Sequence, residues 1–518
     1  MRSRFAMMRK AWSLATLFGV ALGTQQLASA ASLAPVTGFG GGDGWRAPFE
    51  VLPSDAAGTD SIQAGAYNYL GNTITNPAVN AGHLERGMAY NPVTGNLIVV
   101  SRSTAGNGIR ILNGQTGVDV GSLSQGTGVV TGGFFTTNMV GVADDGAIYV
   151  ANLALDTNTS AYKVYRWADE TAAAPTVAFT GTAATAPLPG TRMGDSFDVY
   201  GSGASTRFVA GYGNSPSVAG NNGFALFSTS DGQTFTSSNI SIAGNPPEPG
   251  DFRLGLTFRD SDTVIGKQGS ATAGQQQFAR EVDISGTTGT LSRSIPSDGA
   301  SLRPLDFAIV DGRPLLAVLE ASGSQDAPAR ARIFVYDLTN PNATVAEAKL
   351  VEGTNLPMND PVNGPNQFAN PNGTGSIKFG AINGNTATIY AMSTNNGIQA
   401  FTLTLDPVVV PVDDADFNGD LVVDGTDFLI WQRGFGLSAQ VDKSTGDADG
   451  DGNVNDADLT VWTTQFGSTI TPPSPIAAVP EPASLALAMA GVACLAWRRR
   501  HHCLPVTAIT RDRTSVLK

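Results

Sequence analysis

The residues with the clearest chemical potential form two acidic repeats that start at Asp416 and Asp447, 31 residues apart. Counted from these aspartates, oxygen-bearing side chains recur at positions 1, 3, 5, 9 and 12. They are Asp416, Asn418, Asp420, Asp424 and Asp427 in the first repeat, and Asp447, Asp449, Asp451, Asn455 and Asp458 in the second. Position 7 adds a backbone carbonyl, from Val422 or Asn453. Calcium takes about six to eight oxygen ligands, and a loop of about 12 residues with this spacing wraps it, so the repeat predicts two calcium ions.

Two further loop positions carry expectations about affinity and pairing. Position 6 needs a positive φ, which Gly452 supplies in the second loop, whereas Leu421 occupies it in the first. A left-handed non-glycine residue costs about 1–2 kcal/mol, so we expect the second loop to bind calcium more tightly. Position 8 is apolar in both copies (Val423 and Val454), which predicts a short β-contact between the loops.

Each loop is followed by residues that predict a short helix. The i, i+3, i+7 spacing places three apolar side chains of each repeat on one stripe, so the two helices are expected to bury against each other. The stripes are Phe428, Trp431 and Phe435, then Leu459, Trp462 and Phe466. Gly436 and Gly467 follow as expected helix stops. An acidic solvated linker is the alternative, but it does not explain the repeated tryptophans.

A calcium loop plus one helix, repeated after 31 residues, resembles the type I dockerin domain. The resemblance implies calcium binding and docking to a cohesin-like domain or another surface protein. Known dockerins attach polysaccharide-degrading enzymes to scaffolds, which makes polysaccharide a further expected partner.

The large middle region lacks helical periodicity and reads as strand, turn, strand, then a third strand, in units of about 45 residues. This pattern is typical of propeller blades. We expect a mainly β fold, with a six- or seven-bladed β-propeller-like large domain and then a small all-α dockerin-like domain. A seventh blade could use the N-terminal residues, and a β-sandwich or β-helix is the alternative.

Catalytic residues are not identifiable from the sequence. His83 is the only histidine before His501, and we find no P-loop, nucleophile elbow or dinucleotide fingerprint. Four carboxylates could face a central cavity, although solvated or turn-capping roles are favoured for them. They are Asp195, Asp198, Asp306 and Glu320.

Both ends of the chain have the features of targeting signals. Residues 1–30 combine a basic start, an apolar stretch and a small-residue cleavage site ending at Ala30, as in a secretory signal peptide. Near the other end, Pro-Glu-Pro at 480–482 precedes an apolar run and a cluster of arginines. This resembles the PEP-CTERM sorting signal of exopolysaccharide-making bacteria, which implies cleavage by an exosortase-type enzyme after transient membrane anchoring. A permanent C-terminal anchor is the alternative.

These observations divide the chain into seven segments. We expect a signal peptide at 1–30, a propeller-like domain at 36–405, a linker at 406–412, a dockerin-like domain at 413–468, a Pro-rich linker at 469–478, a sorting signal at 479–502 and an extension at 503–518. The net charge of −13 argues against nucleic acid as a partner.

The expected function is that of an exported cell-envelope or extracellular protein with a docking module and a ligand-binding or partner-binding propeller. The alternative is a dockerin-bearing polysaccharide-degrading hydrolase or lyase. A non-catalytic role is favoured because no catalytic constellation is recognisable.

Overall fold

A computed structural model describes most of the chain between residues 31 and 468. The described residues are 31–48, 67–70, 84–102, 108–213, 223–243, 252–267, 278–296, 302–321, 331–353, 370, 374–406, 413–440 and 442–468. The predicted signal peptide, His83, most of the 406–412 linker, and the Pro-rich linker, sorting signal and extension after residue 468 lie outside them. The chain divides into two compact units, Met1–Val408 and Val409–Lys518, and each is described separately.

The first unit contains six β-sheets within the described residues. Its first strands, β1 (Ala31–Pro35) and β2 (Trp45–Arg46), join the last sheet. Blade 1 contains β3 (Glu85–Tyr90), β4 (Asn96–Ser101), β5 (Ile109–Asn113) and β6 (Asp119–Ser122). Blade 2 contains β7 (Phe135–Val142), β8 (Ile148–Leu153), β9 (Tyr162–Trp167) and β10 (Thr176–Gly181). Blade 3 contains β11 (Met193–Tyr200), β12 (Arg207–Tyr212), β13 (Gly223–Thr229) and β14 (Phe235–Asn239).

The remaining three blades complete the sheets. Blade 4 contains β15 (Ser241–Ala243), β16 (Leu256–Asp260), β17 (Thr263–Lys267), β18 (Phe278–Ser285) and β19 (Thr288–Pro296). Blade 5 contains β20 (Leu302–Val310), β21 (Arg313–Ala321), β22 (Ala331–Asp337), a short helix α1 (Val345–Ala348) and β23 (Lys349–Glu352). Blade 6 contains β24 (Gly375–Asn383), β25 (Thr386–Ser393) and β26 (Ile398–Leu405). Short 3-10 turns lie at Asn68–Leu70 and Gly203–Ser205.

The six blades form a closed ring around their inner strands. Each of β3, β7, β11, β16, β20 and β24 contacts the next inner strand, and β24 returns to β3. The strand β1 pairs antiparallel with β26 and completes blade 6. The large domain is therefore a six-bladed propeller, and its N-terminal strand belongs to the sixth blade rather than to a seventh. The domain also includes Ala31–Pro35, which lies before the predicted start at residue 36.

Burial on both faces explains the continuous apolar strands in the middle of the blades. All six residues of β8 are buried, because a blade in a ring packs against a neighbour on each side. Leu319 and Ile333 of blade 5, for example, share one core cluster with Ile389 and Leu403 of blade 6.

The second unit is small and built around two helices. They are α2 (Gly425–Gly434) and α3 (Asp456–Gln465), with a 3-10 turn at Lys443–Thr445 between them. Each helix begins with a capping box, which satisfies amide groups that a helix N-terminus leaves open. The core consists of a few apolar side chains, including Phe417, Val423, Trp431 and Val454. Within the part of the chain described here, no helix is long and apolar enough to cross a membrane.

Candidate calcium loops and channel residues

The first acidic loop is organised by its first and last carboxylates. The Asp416 side chain, 1% exposed, accepts hydrogen bonds from the backbone amides of Gly419 at 2.8 Å and Leu421 at 3.0 Å. The fully buried Asp427 accepts from the amides of Phe417 and Asp424, each at 2.9 Å. Both carboxylates thus lie inside the turn of the loop, where their oxygens are held in place by the backbone.

The side chains at positions 3, 5 and 9 of the first loop lie near its rim. Asn418 donates to Asp420 Oδ2 at 2.9 Å, and Asp420 accepts from the amide of Val422 at 2.9 Å. Asp424 accepts from the amide of Thr426 and caps α2. The loop's polar side chains therefore sit on one short segment, and the position-12 residue Asp427 closes it as part of the capping box.

The second loop repeats this arrangement and brings three carboxylates together. Single oxygens of Asp447, Asp449 and Asp451 all lie within 4.8 Å of one another. Asp458 is fully buried and accepts from the amides of Ala448 at 2.7 Å and Asn455 at 2.7 Å. The remaining predicted ligands of this loop follow. Asn453 donates its amide to Asp451, and Asn455 caps α3 by accepting from Ala457.

One oxygen in the second loop fits a bound cation directly. Asp447 Oδ2 accepts from the Gly452 amide at 2.9 Å, whereas Asp447 Oδ1 is buried with no hydrogen-bond partner among the described residues. Burial and the nearby Asp458 and Asp449 carboxylates raise the pKa of Asp447 above its usual value. A buried carboxylate oxygen without a donor, crowded by other carboxylates, is stabilised by a hard cation, so this set of oxygen ligands suits calcium.

The backbone at position 6 is left-handed in both loops. Leu421 has a φ of 71° and Gly452 a φ of 82°. The expectation of a positive φ at this position is confirmed, and the first loop places a side chain where glycine is favoured. Position 4, Gly419 or Gly450, is also left-handed in both copies, a requirement that the sequence analysis missed although glycine marks it twice.

The predicted β-contact between the two loops is wrong in its partners. Val423 exchanges hydrogen bonds with Gly467 and Ser468, and Val454 with Gly436 and Leu437. Each position-8 valine therefore pairs with the segment that follows the helix of the other repeat. The position-8 side chains are buried. Their backbone partners belong to the other repeat, about 45 residues after Val423 and about 17 residues before Val454, where spacing within one repeat carries no information.

The two tryptophans connect each helix to the opposite loop. Trp431 Nε1 donates to the carbonyl of Asn455 at 2.9 Å, and Trp462 Nε1 donates to the carbonyl of Asp424 at 3.0 Å. Both acceptors are position-9 residues. The rings of Phe428 and Trp462 lie 5.0 Å apart, which confirms contact between the predicted stripes.

The ends of the predicted stripes are not buried. Phe435 is 54% exposed and Phe466 is 58% exposed, because both residues follow the last helical turn as C-caps with non-helical backbone. The glycines after them, Gly436 and Gly467, have positive φ and act as the expected stops.

In the propeller, two of the four candidate carboxylates converge on one lysine in the channel. Lys378 Nζ lies 2.7 Å from Asp198 Oδ1 and 2.7 Å from Asp306 Oδ1. Asp198 Oδ2 also accepts from Thr257 Oγ1 at 3.0 Å. These residues come from the inner strands of blades 3, 4, 5 and 6. Burial, together with the Asp198 charge, raises the pKa of Asp306 to about 6, against the lowering influence of Lys378.

The other two candidate carboxylates lie elsewhere. Asp195 lies three residues before Asp198 on β11 and pairs with Arg192 and Arg253. Glu320 pairs with Arg332 between β21 and β22. The structure therefore brings Asp198 and Asp306 together and separates Asp195 and Glu320 from them. Lys378, the residue that joins the pair, carried no sequence signal because its partners are about 70 and 180 residues away.

A cavity of about 310 Å³ opens where the inner strands end. Tyr90, Tyr200, Phe258 and Phe307 line it together with the Lys378 cluster. It combines aromatic rings with charged groups.

Comparison with known proteins accounts for both units. The dockerin type I domain family matches residues 414–465, and the PEP-CTERM protein-sorting motif matches residues 478–500. Both resemblances drawn from the sequence are thereby confirmed. Dockerin type I domains bind calcium, and the sorting motif implies export. None of the curated proteins compared with this chain matches it.

Several solved structures resemble the propeller at low identity. A DUF4623 family protein from Bacteroides eggerthii is 18% identical, with a TM-score of 0.45, and the match covers 63% of this chain and 71% of that one. XC5397 from Xanthomonas campestris, described as a gluconolactonase, is 12% identical, with a TM-score of 0.35 and coverage of 63% and 87%. A luciferin-regenerating enzyme is 13% identical, with a TM-score of 0.32 and coverage of 62% and 92%.

The sequence of the propeller itself also matches a known family. The family described as a domain of unknown function, DUF4623, matches residues 52–401. This segment is more than half of the chain, so the protein belongs to the DUF4623 family and carries a dockerin type I domain and a PEP-CTERM sorting motif after its propeller.

Proposed function

We propose that this chain is an exported cell-surface or extracellular protein that docks to a cohesin-type domain through its two calcium loops. Its propeller binds a ligand or partner, and its C-terminal signal anchors it transiently until an exosortase-type enzyme cuts it. The observation that carries the docking role is the repeated loop geometry, in which Asp416 and Asp447 lie buried at position 1 while Asp427 and Asp458 close the loops at position 12.

Calcium should organise the docking module. Its two helices have ten residues each, shorter than helices that are stable alone in water, and residues 413–468 carry twelve aspartates against two basic residues. Without the ions, carboxylate repulsion opposes a small core.

The test is calcium titration of the secreted chain by calorimetry, followed by capture on an immobilised cohesin-type domain. Two ions per chain and capture that a chelator reverses are expected. Asp447→Ala combined with Asp416→Ala should abolish both, whereas Asp262→Ala, which removes an exposed propeller carboxylate, should change neither. Capture that persists in chelator would contradict the proposal.

Sorting is tested by intact-mass measurement on protein from the native envelope. We expect a species that begins at Ala31 and ends near the Pro-Glu-Pro element. A species that retains Cys494 and Cys503 would instead support a permanent anchor.

A polysaccharide-degrading enzyme is the second candidate. It is favoured by the convergence of Asp198 and Asp306 beside an open cavity. Against it, the Lys378 ammonium lies between the two carboxylates, where a glycosidase would need to hold the bond to be broken. Steady release of reducing sugar that Asp306→Asn abolishes would establish the enzyme; no release from a panel of polysaccharides would leave the binding role.

A further inference from the structure

The amino ends of the inner strands carry an arginine cluster that the calcium loops and the Lys378 cluster do not involve. Arg192 holds Asp195 in a two-bond fork, from Nε to Oδ2 at 2.5 Å and from Nη2 to Oδ1 at 2.7 Å. Arg253 Nη1 lies 3.3 Å from the same Oδ2. One carboxylate therefore serves two guanidinium groups, and its side chain is only 2% exposed.

A third guanidinium, that of Arg86, is linked through Asn138 to the backbone next to Asp195. Arg86 Nε donates to Asn138 Oδ1 at 2.8 Å, and Asn138 Nδ2 donates to the Gly194 carbonyl at 2.6 Å. The guanidinium carbon also lies 5.1 Å from the centre of the Phe135 ring. Among the described residues, neither Nη atom of Arg86 has a hydrogen-bond partner. The protein thus positions the guanidinium through Nε, and no described residue accepts a hydrogen bond from its two Nη groups.

The local charge balance is strongly positive. Burial lowers the pKa of Arg86 to about 10, so the guanidinium is still charged at neutral pH. Burial raises the pKa of the adjacent Glu85 to about 8, so that carboxyl is mostly protonated there. Arg192 and Arg253 thus share the Asp195 carboxylate, and the further positive charges of Arg86 and Arg102 lie close by, in a chain whose net charge is −13. A nearly buried positive charge is costly unless an anion compensates it.

We propose that Arg86, with Arg192 and Arg253, forms an anion site at this channel mouth that binds a carboxylate-bearing ligand. The planar guanidinium fork matches a carboxylate through two parallel hydrogen bonds, and Arg192 already binds the Asp195 carboxylate in this way. The carboxylate belongs either to a small free acid or to the acid groups of a polymer. This inference deepens the proposed ligand-binding role of the propeller and is independent of calcium-dependent docking.

The test compares galacturonate with galactose, which lacks the carboxylate, by calorimetry on the secreted chain in about 150 mM NaCl, where long-range attraction is screened. Galacturonate should bind and galactose should not. Arg86→Gln should weaken galacturonate binding about tenfold or more, because a charge-assisted bond is lost. Arg207→Gln is the matched control. This substitution also removes one positive charge, from the exposed ion pair of Arg207 with Asp262. Arg207 pairs with Tyr200 at the carboxyl end of β11, away from the arginine cluster, so the affinity for galacturonate should be unchanged.

A second variant protects the test against misfolding. Arg253→Gln should also weaken galacturonate binding, and the thermal midpoint of each variant shows that it is folded. Equal binding of galacturonate and galactose, equal effects of Arg86→Gln and Arg207→Gln, or tighter binding of inorganic phosphate than of galacturonate would overturn the inference. A parallel titration with polygalacturonate shows where the carboxylate comes from. Tighter binding of polygalacturonate than of galacturonate indicates a polymer ligand, and equal binding indicates a small acid.

The two proposals fail separately. If a broad glycan array reveals a neutral ligand that Arg86→Gln does not affect, the ligand-binding propeller stands and the carboxylate site falls. If galacturonate binds as expected but chelator does not release the chain from a cohesin-type domain, the docking role falls alone.

Discussion

Leu421 shows how a single backbone angle sets the expected order of calcium affinities. Its φ of 71° is matched by Gly452 in the second loop, and its side chain is 42% exposed, so it gains little from packing. The left-handed angle costs about 1–2 kcal/mol for a side chain with a β-carbon. The first loop therefore carries a strain that the second does not.

Replacing this residue should tighten the first site. Leu421→Gly removes the strain but adds about 0.5–1 kcal/mol of backbone entropy cost, so we expect a gain of roughly twofold to fivefold in affinity. Calorimetry in an Asp451→Ala background isolates the first loop. Conversely, Gly452→Ala should weaken calcium binding at the second loop. Equal or stronger binding at the unmodified first loop would contradict the role of position 6.

Asp306 is one residue whose ionisation should affect propeller stability. Burial raises its pKa from 3.8 to about 6, so the native state holds the proton more tightly than the unfolded chain does. This contribution to stability is complete below about pH 4 and is lost as the pH rises through 6. The direction is opposite to that of a carboxylate stabilised by its ion pair.

The Asp306→Asn variant should therefore be relatively less stable at pH 4 than at pH 7 when compared with the unmodified protein. The free energy of unfolding of the variant, relative to that of the unmodified protein, should differ by about 1–3 kcal/mol between pH 4 and pH 7. Thermal unfolding across this pH range measures it. Asp262→Asn, at an exposed site, serves as the control and should show a much smaller change. If the stability of Asp306→Asn relative to the unmodified protein does not vary with pH, the raised pKa of Asp306 is refuted.

At the scale of elements, the dockerin module is held by exchange between its two repeats. Each tryptophan donates to the position-9 carbonyl of the other loop, and each position-8 valine pairs with the segment after the other helix. Neither repeat satisfies its own backbone groups alone. The two loops should therefore fold and bind calcium as one unit.

This exchange predicts crossed effects of mutation. Trp462→Phe should weaken calcium binding at the first loop, and Trp431→Phe at the second. Loss of one neutral hydrogen bond costs about 0.5–1.5 kcal/mol, or roughly twofold to tenfold in affinity. Single-loop backgrounds made with Asp451→Ala or Asp420→Ala separate the sites by calorimetry, and each tryptophan variant is the other's control. A larger effect on the loop of the same repeat would disprove the coupling.

At the scale of the whole propeller, the first strand of the domain closes the ring. The strand β1 pairs residue by residue with β26, from Ala31 with Leu405 to Pro35 with Phe401. Leu33 packs against the core cluster between blades 5 and 6. The expected cleavage after Ala30 would leave this strand at the start of the mature chain. The cleavage site would then lie directly before the strand that closes the ring.

Deleting Ala31–Pro35 should lower the thermal midpoint of the propeller by about 5 °C or more, since an edge strand and its packing are lost. Leu33→Ala should reproduce part of the loss, whereas Ser32→Ala should have little effect. Scanning calorimetry of the secreted chain measures both. An unchanged midpoint after the deletion would mean that β26 closes the ring without β1.

Features whose chemistry is local were predictable from the order of the amino acids alone. The loop residues 416–427 and 447–458 lie close together in the chain, so their spacing already indicates an oxygen-rich loop for calcium. The C-terminal sorting motif is likewise contiguous, so the order of its turn, apolar and charged residues sufficed to recognise it. The strand-and-turn rhythm of the middle region predicted a propeller for the same reason, because each blade is built mainly from neighbouring hairpins.

Contacts between residues far apart in the chain became apparent only in the folded protein. The number of blades is six because residues 31–35 pair with residues 401–405 in the last blade. The residues of the Lys378 cluster come from four different blades. The exchange of partners between the dockerin repeats and the convergence of Arg253 with Arg192 on Asp195 are of the same kind. Such contacts depend on ring closure and packing between elements, and no spacing within a single stretch of sequence records them.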